Sequence, residues 1–258
     1  MAGFALRSIV VGAMLAAAAG AQAQDAPALP AEDATPFFSW SAWSGSVELG
    51  VNGSEGNTRT LNGRAGATAA RETDEMLTKA RFSYKTARDG SVTTENKAQF
   101  EVRNDWKLGK DSPWSVFAQG AVEWDEFQDW DTRVSAFAGI GYRFINEKDT
   151  TLNGRVGLGA SQEIGGTDDD VTPEALLGAD FSHNLTERQK ITASVDVFPS
   201  LSDGGEFRAI ARAAWEVVVD PEVKMNLKVG VEDRYDSDVP AGVRESDFDY
   251  YALLVWSF

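Results

Sequence analysis

The sequence predicts an all-β chain that closes into an antiparallel transmembrane β-barrel of about twelve strands. Three observations predict it. Apolar and polar residues alternate with period two in one segment after another. Short turns and longer loops join these segments alternately. The last segment alternates up to Phe258 itself. Period two means a strand whose two faces meet different surroundings, whereas an amphipathic helix would bring polar groups back every third or fourth position.

Residues 1–23 read as a signal peptide. Arg7 supplies the positive start, 9–20 the apolar stretch and Ala21-Gln22-Ala23 the small-residue cleavage site. The apolar stretch is too short for a spanning helix. No cysteine follows it to carry a lipid, and the chain has no Cys at all, so export to an oxidising compartment calls for no disulfide. Residues 24–42, with Pro27, Pro30 and Pro36, read as a flexible tether. Residues 43–258 form one domain without an apolar run of membrane-helix length. A closed barrel is then the one spanning form available, because lipid cannot satisfy unpaired backbone groups.

The alternation places strands over 43–53, 58–72, 75–89, 95–108, 114–127, 132–146, 150–164, 172–185, 189–200, 205–219, 223–236 and 247–258. In the fifth, Trp114, Val116, Ala118, Gly120, Val122 and Trp124 share one face, against Ser115, Phe117, Gln119, Ala121, Glu123 and Asp125. The sixth repeats it, with Val134, Ala136, Ala138, Ile140, Tyr142 and Phe144 on the apolar side. Connections at 73–74, 109–113, 147–149, 186–188 and 220–222 are short and rich in turn residues, while those at 90–94, 165–171, 200–204 and 237–246 run longer. Short periplasmic turns opposite longer outer loops are the asymmetry of outer-membrane barrels. The links near Ser54-Glu55-Gly56-Asn57 and at 128–131 are short for outer ones.

Aromatic residues fall at strand ends. Trp43, Trp106, Trp114, Tyr142, Phe144, Phe181, Trp215, Trp256 and Phe258 map to the periplasmic rim, and Trp124, Phe207, Phe248 and Tyr250 to the outer rim. Amphipathic rings favour the headgroup level, which gives two girdles; a general strand preference for aromatics is the plainer account. The last strand is the most specific segment. Tyr250, Leu254, Trp256 and Phe258, on one parity to the final position, are similar to the signal read by the outer-membrane barrel assembly machinery.

A soluble sandwich or lipocalin-like barrel would show the same alternation with its faces reversed. Strand number decides between them. About twelve strands enclose an interior too wide for Ala, Val and Gly to fill, so the apolar face is expected outward and the polar face inward.

The opening strand Trp43-Ser44-Gly45-Ser46-Val47-Glu48-Leu49-Gly50 is followed by Gly53-Ser54-Glu55-Gly56-Asn57-Thr58. With these segments the chain resembles the salt-induced outer-membrane protein family, domain of unknown function 481, over 43–258. The resemblance implies an outer-membrane barrel without established chemistry. It brings no catalytic or binding residue to carry over.

The formal net charge is −16 at pH 7, which argues against nucleic acid and anionic surfaces as partners. On the inward parity lie Arg64, Lys79, Arg81, Lys85, Arg103, Arg133, Arg143, Arg155, Arg208, Arg212, Lys224, Lys228 and Arg234. They are opposed by Glu48, Glu101, Glu123, Asp125, Glu163, Glu174, Asp180, Asp196, Glu216 and Glu232. Arg64, Arg81, Arg103, Glu123, Arg133, Arg143, Arg155, Arg208, Arg212 and Glu216 are the candidate lumen-lining set. Mixed signs fit either a narrow pore or an interior filled by salt bridges. Gly139, Gly141, Gly157, Gly159 and Gly178 on the same parity leave space, which favours a water-filled passage.

The lone His183 sits in Ser182-His183-Asn184, three residue types found together in hydrolases. Neighbours on a strand face opposite sides, so Ser182 and His183 cannot work on one surface; His183 is expected at headgroup level. Acidic residues gather in the outer loops, at Asp168-Asp169-Asp170 and at Asp129, Asp131, Asp203, Glu206, Asp236, Asp238 and Glu245. Hard divalent cations that bridge lipopolysaccharide phosphates are possible partners there, although no EF-hand spacing occurs and a solvated loop is the plainer reading. No phosphate loop, dinucleotide fingerprint, zinc cluster or nucleophile elbow occurs, so no cofactor and no catalysis are expected. Two functions follow for comparison: a narrow outer-membrane pore for small solutes or ions, and a non-conducting envelope-stress barrel acting through its acidic loops. The expected partners are outer-membrane lipid and lipopolysaccharide, with the assembly machinery during biogenesis.

Overall fold

The computed structural model describes residues 42–54, 60–166, 169–239 and 244–258. The expected signal peptide, all of the tether but residue 42, the 55–59 part of the first loop and Asp168 lie outside the described residues.

Twelve strands follow one another: β1 (Ser44–Ser54), β2 (Thr60–Glu72), β3 (Met76–Asp89), β4 (Val92–Lys107), β5 (Trp114–Asp125), β6 (Thr132–Asn146), β7 (Thr150–Ile164), β8 (Val171–Thr186), β9 (Gln189–Pro199), β10 (Phe207–Asp220), β11 (Met225–Asp236) and β12 (Ser246–Ser257). Each pairs antiparallel with the next, and β1 pairs with β12 to close the barrel. One rim carries the start of β1 and the end of β12; we call it the terminal rim, and the opposite one the loop rim.

The strands match the sequence expectation, with local differences that have causes. β4 starts at Val92 rather than 95 because Gly90, at φ 60, allows a two-residue turn at Gly90-Ser91. A register shift between Ala87 and Arg88 absorbs the extra residue. Lys224 leaves the expected strand: it sits at φ 52 in the turn before β11 and does not line the lumen.

Register settles which face is which. Val116 pairs with Ile140, and Ile140 with Val156, all three half exposed on the outside. Phe82, Phe100, Leu158, Leu177, Trp215 and Leu254 continue this apolar belt around the barrel. In water so large a contiguous apolar surface would be unfavourable; in hydrocarbon it is the stable arrangement. Exposed rings crowd the ends of the belt, with Trp106, Trp114, Phe144, Trp256 and Phe258 at the terminal rim and Trp124, Phe207, Phe248 and Tyr250 at the loop rim. Trp114 and Tyr142 meet edge to face at 4.6 Å. The opposite parity buries charged and polar groups: Glu48, Lys85, Gln99, Arg103, Glu123, Arg155, Glu174, Asp196 and Glu232 are all less than 10% exposed and point inward. The fold is a transmembrane barrel with an apolar exterior and a polar lumen. Arg71 and Thr78 depart from this pattern; they are buried on the outward parity near the β2–β3 turn, where the Thr78 hydroxyl donates to the Asn104 side chain.

The closing seam is short. β1 and β12 share four ladder pairs, Ser46↔Ser257 to Leu49↔Leu254. It ends in a reciprocal bond between Gly45 and Phe258, at 3.2 and 2.9 Å. A Cβ at Gly45 would lie 2.2 Å from the Thr68 carbonyl oxygen and 2.8 Å from the Phe258 ring. Gly45 therefore lets the terminal ring lie flat over the seam.

Candidate functional site

The candidate site is the lumen, and its centre is Glu232 on β11. Four cations converge on this carboxylate: Lys85 at 2.7 Å, Arg212 at 2.9 Å, Arg234 at 3.1 Å and Arg64 at 3.5 Å. A buried carboxylate is tolerable only when compensated in this way. Some of these side chains cross the barrel. Arg234 on β11 donates to Glu123 on β5 at 2.8 Å, and these strands stand six places apart in a ring of twelve. Arg212 on β10 reaches Gln99 on β4, again six places away, at 3.4 Å. Arg234 also donates to Gln99. The guanidinium of Arg64 lies over the Tyr251 ring at 4.0 Å.

Beside this polar belt, Phe117, Phe137, Leu176, Phe198 and Ile210 form a buried apolar cluster inside the lumen. Phe137 and Phe198 pack at 5.1 Å between ring centroids. Here the structure departs from expectation. The inward glycines do not leave open space: a Cβ at Gly139 or Gly157 would stand 2.9 or 2.8 Å from the Phe117 ring, and one at Gly159 would stand 2.5 Å from the Phe137 ring. Gly178 similarly makes room for the Arg155 and Asp196 side chains. Phe117 and Phe137 carry the signal that was available in sequence, since both stand on the polar parity of their strands.

Two cavities lie in the lumen, one toward each rim, and they share no lining residue. The one at the loop rim has a volume of about 1030 Å³. Among the described residues, fourteen carboxylates and six cations line it. Its wall holds Arg208, which grips Glu174 through two bonds of 2.9 and 2.8 Å and lies over Phe198 at 4.7 Å. Arg133 bonds Glu163, reaches Asp236 at 3.3 Å and covers Trp130 at 4.7 Å. Of the acidic loop residues read from sequence, Asp129, Asp170, Asp203, Glu206, Asp236, Asp238 and Glu245 line this mouth, while Asp131 and Asp169 do not. Partial loss of water, followed by the neighbouring Asp238, Asp203 and Asp236, raises the Glu206 carboxyl above the usual glutamate range.

The cavity at the terminal rim is smaller, about 430 Å³. Arg103 and Arg155 both bond Asp180 on its wall, and Arg155 also bonds Asp196. Arg81 faces this cavity. Arg143 donates to the Ser112 carbonyl at 3.2 Å, and Glu216 accepts from Asn226 at 2.7 Å. All ten candidate lumen residues thus stand on the inner parity. Arg64, Arg212 and Glu123 meet in the belt, Arg103 and Arg155 meet at Asp180, and the rest are distributed along the axis.

His183 faces outward. It shares a hydrogen bond of 2.9 Å with Thr150 and lies parallel to Phe181 at 6.4 Å, with Ser182 on the other face. Tyr250, Leu254, Trp256 and Phe258 project outward from β12. No group of three or more potential metal ligands occurs among the described residues.

Residues 47–258 match the family described as "Protein of unknown function, DUF481". No curated protein matches the chain. Among solved structures, it is similar to the COG4313 outer membrane channel from Pseudomonas putida F1, with TM-score 0.47 and 9% identity over 84% of this chain and 95% of that one. It is also similar to the NanC porin, with TM-score 0.48 and 13% identity over 83% and 98%. A third is the translocator domain of the autotransporter NalP from Neisseria meningitidis, with TM-score 0.45 and 12% identity over 84% and 87%.

Proposed function

The chain belongs to the DUF481 family, and we propose that it is an outer-membrane barrel whose narrow passage for small ions or solutes is held shut at mid-height. The observation that carries this reading is the Arg234–Glu123 contact between opposite walls. Side chains that meet across a diameter, with the Phe117 cluster beside them, would narrow the passage, yet they move far more readily than a plug of folded chain. The terminal rim would face the periplasm. Tyr250, Leu254, Trp256 and Phe258 would be read by the assembly machinery, after a signal peptide has directed export.

The test is single-channel recording in a planar bilayer, on protein whose folding is checked by comparing electrophoretic mobility before and after boiling. We expect rare, small openings for the natural chain. The double variant Arg234→Ser, Glu123→Ser should open more often and conduct more. Steady, porin-sized conductance of the natural chain, or a folded double variant that stays silent, would overturn the reading.

The acid excess at the loop rim, fourteen carboxylates against six cations, favours a second reading. The rim would hold divalent cations that bridge lipopolysaccharide phosphates, so the barrel would reinforce the envelope without conducting. A deletion strain should then be more sensitive to chelators, with solute uptake unchanged.

A further inference from the structure

We propose that the cavity at the terminal rim is a binding chamber for a small oxyanion, a phosphate or a small carboxylate. Five cationic and three acidic side chains line it among the described residues, the reverse of the imbalance at the loop rim. Two of the carboxylates are already occupied: Asp180 bonds Arg103 and Arg155, and Asp196 bonds Arg155. The third, Glu101, stands opposite Arg81 in the β3–β4 ladder.

Lys79 and Arg81 remain. They point inward from alternate positions of β3, about 7 Å apart along the strand. Both side chains line the chamber and open onto it rather than onto bulk water, and Lys79 lies in the field of Asp180 and Asp105 as well as of Arg103. No ion pair or hydrogen bond to either is found among the described residues, whereas Lys85, Arg103, Arg133, Arg155, Arg208, Arg212 and Arg234 all have carboxylate partners. A planar guanidinium binds an oxyanion through two parallel bonds, and a nearby ammonium adds a point charge. Hydroxyls complete the wall: Ser46 and Thr68 bond each other at 2.8 Å, which leaves one of the two protons to donate elsewhere. The chamber is large enough for such an anion with part of its water. The acidic vestibule beyond the belt repels the same anion, so it would enter from the terminal side. Binding does not require the belt to open, and so does not rest on the pore reading.

Calorimetric titration of the refolded chain with inorganic phosphate, in uncharged detergent at low ionic strength, tests the proposal. Lys79→Met with Arg81→Met should weaken phosphate binding about tenfold or more. Glu101→Gln should tighten it, because it removes the negative charge that stands opposite Arg81. Lys97→Met, in the outer cavity, should leave it unchanged. No phosphate uptake by the natural chain, equal binding by the folded double variant, or unaltered binding by Glu101→Gln would each overturn it. Should the double variant fail to fold, Glu101→Gln still decides. A chain that binds phosphate but never conducts would refute the pore and leave the chamber standing.

Discussion

At Glu232 one carboxylate holds four cations, and its side chain is only 4% exposed. Glu232→Gln strands those cations against one another in a confined lumen, and should destabilise the barrel by about 3–5 kcal/mol, measured by urea unfolding in detergent. Phe117 is wholly buried, so Phe117→Ala should cost about 3–5 kcal/mol in the same assay. It should also widen the passage. Glu206 supplies a pH dependence. Its raised pKa means that the folded rim favours the protonated form, so stability falls as pH rises from the ordinary glutamate value to the raised one. Glu206→Gln should therefore raise the thermal unfolding midpoint at about pH 8 and leave it unchanged at about pH 4, where the natural carboxyl is itself protonated. An equal shift at both would contradict the account. Single residues were partly legible in sequence. The inward parity of Arg64 or Glu123 follows from alternation alone, but nothing local shows that Phe117 fills the space beside Gly139 and Gly157, which belong to other strands.

Strands were the most legible level. Strong alternation set β5 and β6 close to their observed bounds, because one face meets lipid and the other water. Register is another matter. A strand pattern does not state how many rungs it shares with a partner far along the chain, so the four-pair seam between β1 and β12 could not be read from it. Gly45→Ala should oppose closure by forcing a methyl onto the Thr68 carbonyl and the Phe258 ring. We expect it to lose the heat-modifiable band that marks a closed barrel. Gly63→Ala is the control, since its nearest neighbour would be a Thr86 methyl at 3.4 Å. A Gly45→Ala protein that folds as readily as Gly63→Ala would remove the seam from the argument.

Across the whole molecule, composition and alternation foretold an apolar exterior and a charged interior, and they foretold that signs inside would be mixed. They could not foretell that the lumen would be crossed, because contact between β11 and β5 depends on the curvature of the closed ring. Everything further, from the belt to the basic chamber, depends on that one assignment of faces. The absence of cysteine makes the assignment directly measurable, since any introduced cysteine carries the only label. Single cysteines placed along β5 and β6, from Ser115 to Ala121 and from Ser135 to Gly141, can each bear an environment-sensitive fluorophore in lipid vesicles. Labels at Val116, Ala118, Ala136 and Ile140 should be quenched by a quencher confined to lipid. Labels at Ser115, Gln119, Ser135 and Gly141 should respond only to one dissolved in water. Loss of this alternation, or its reversal, would contradict the account.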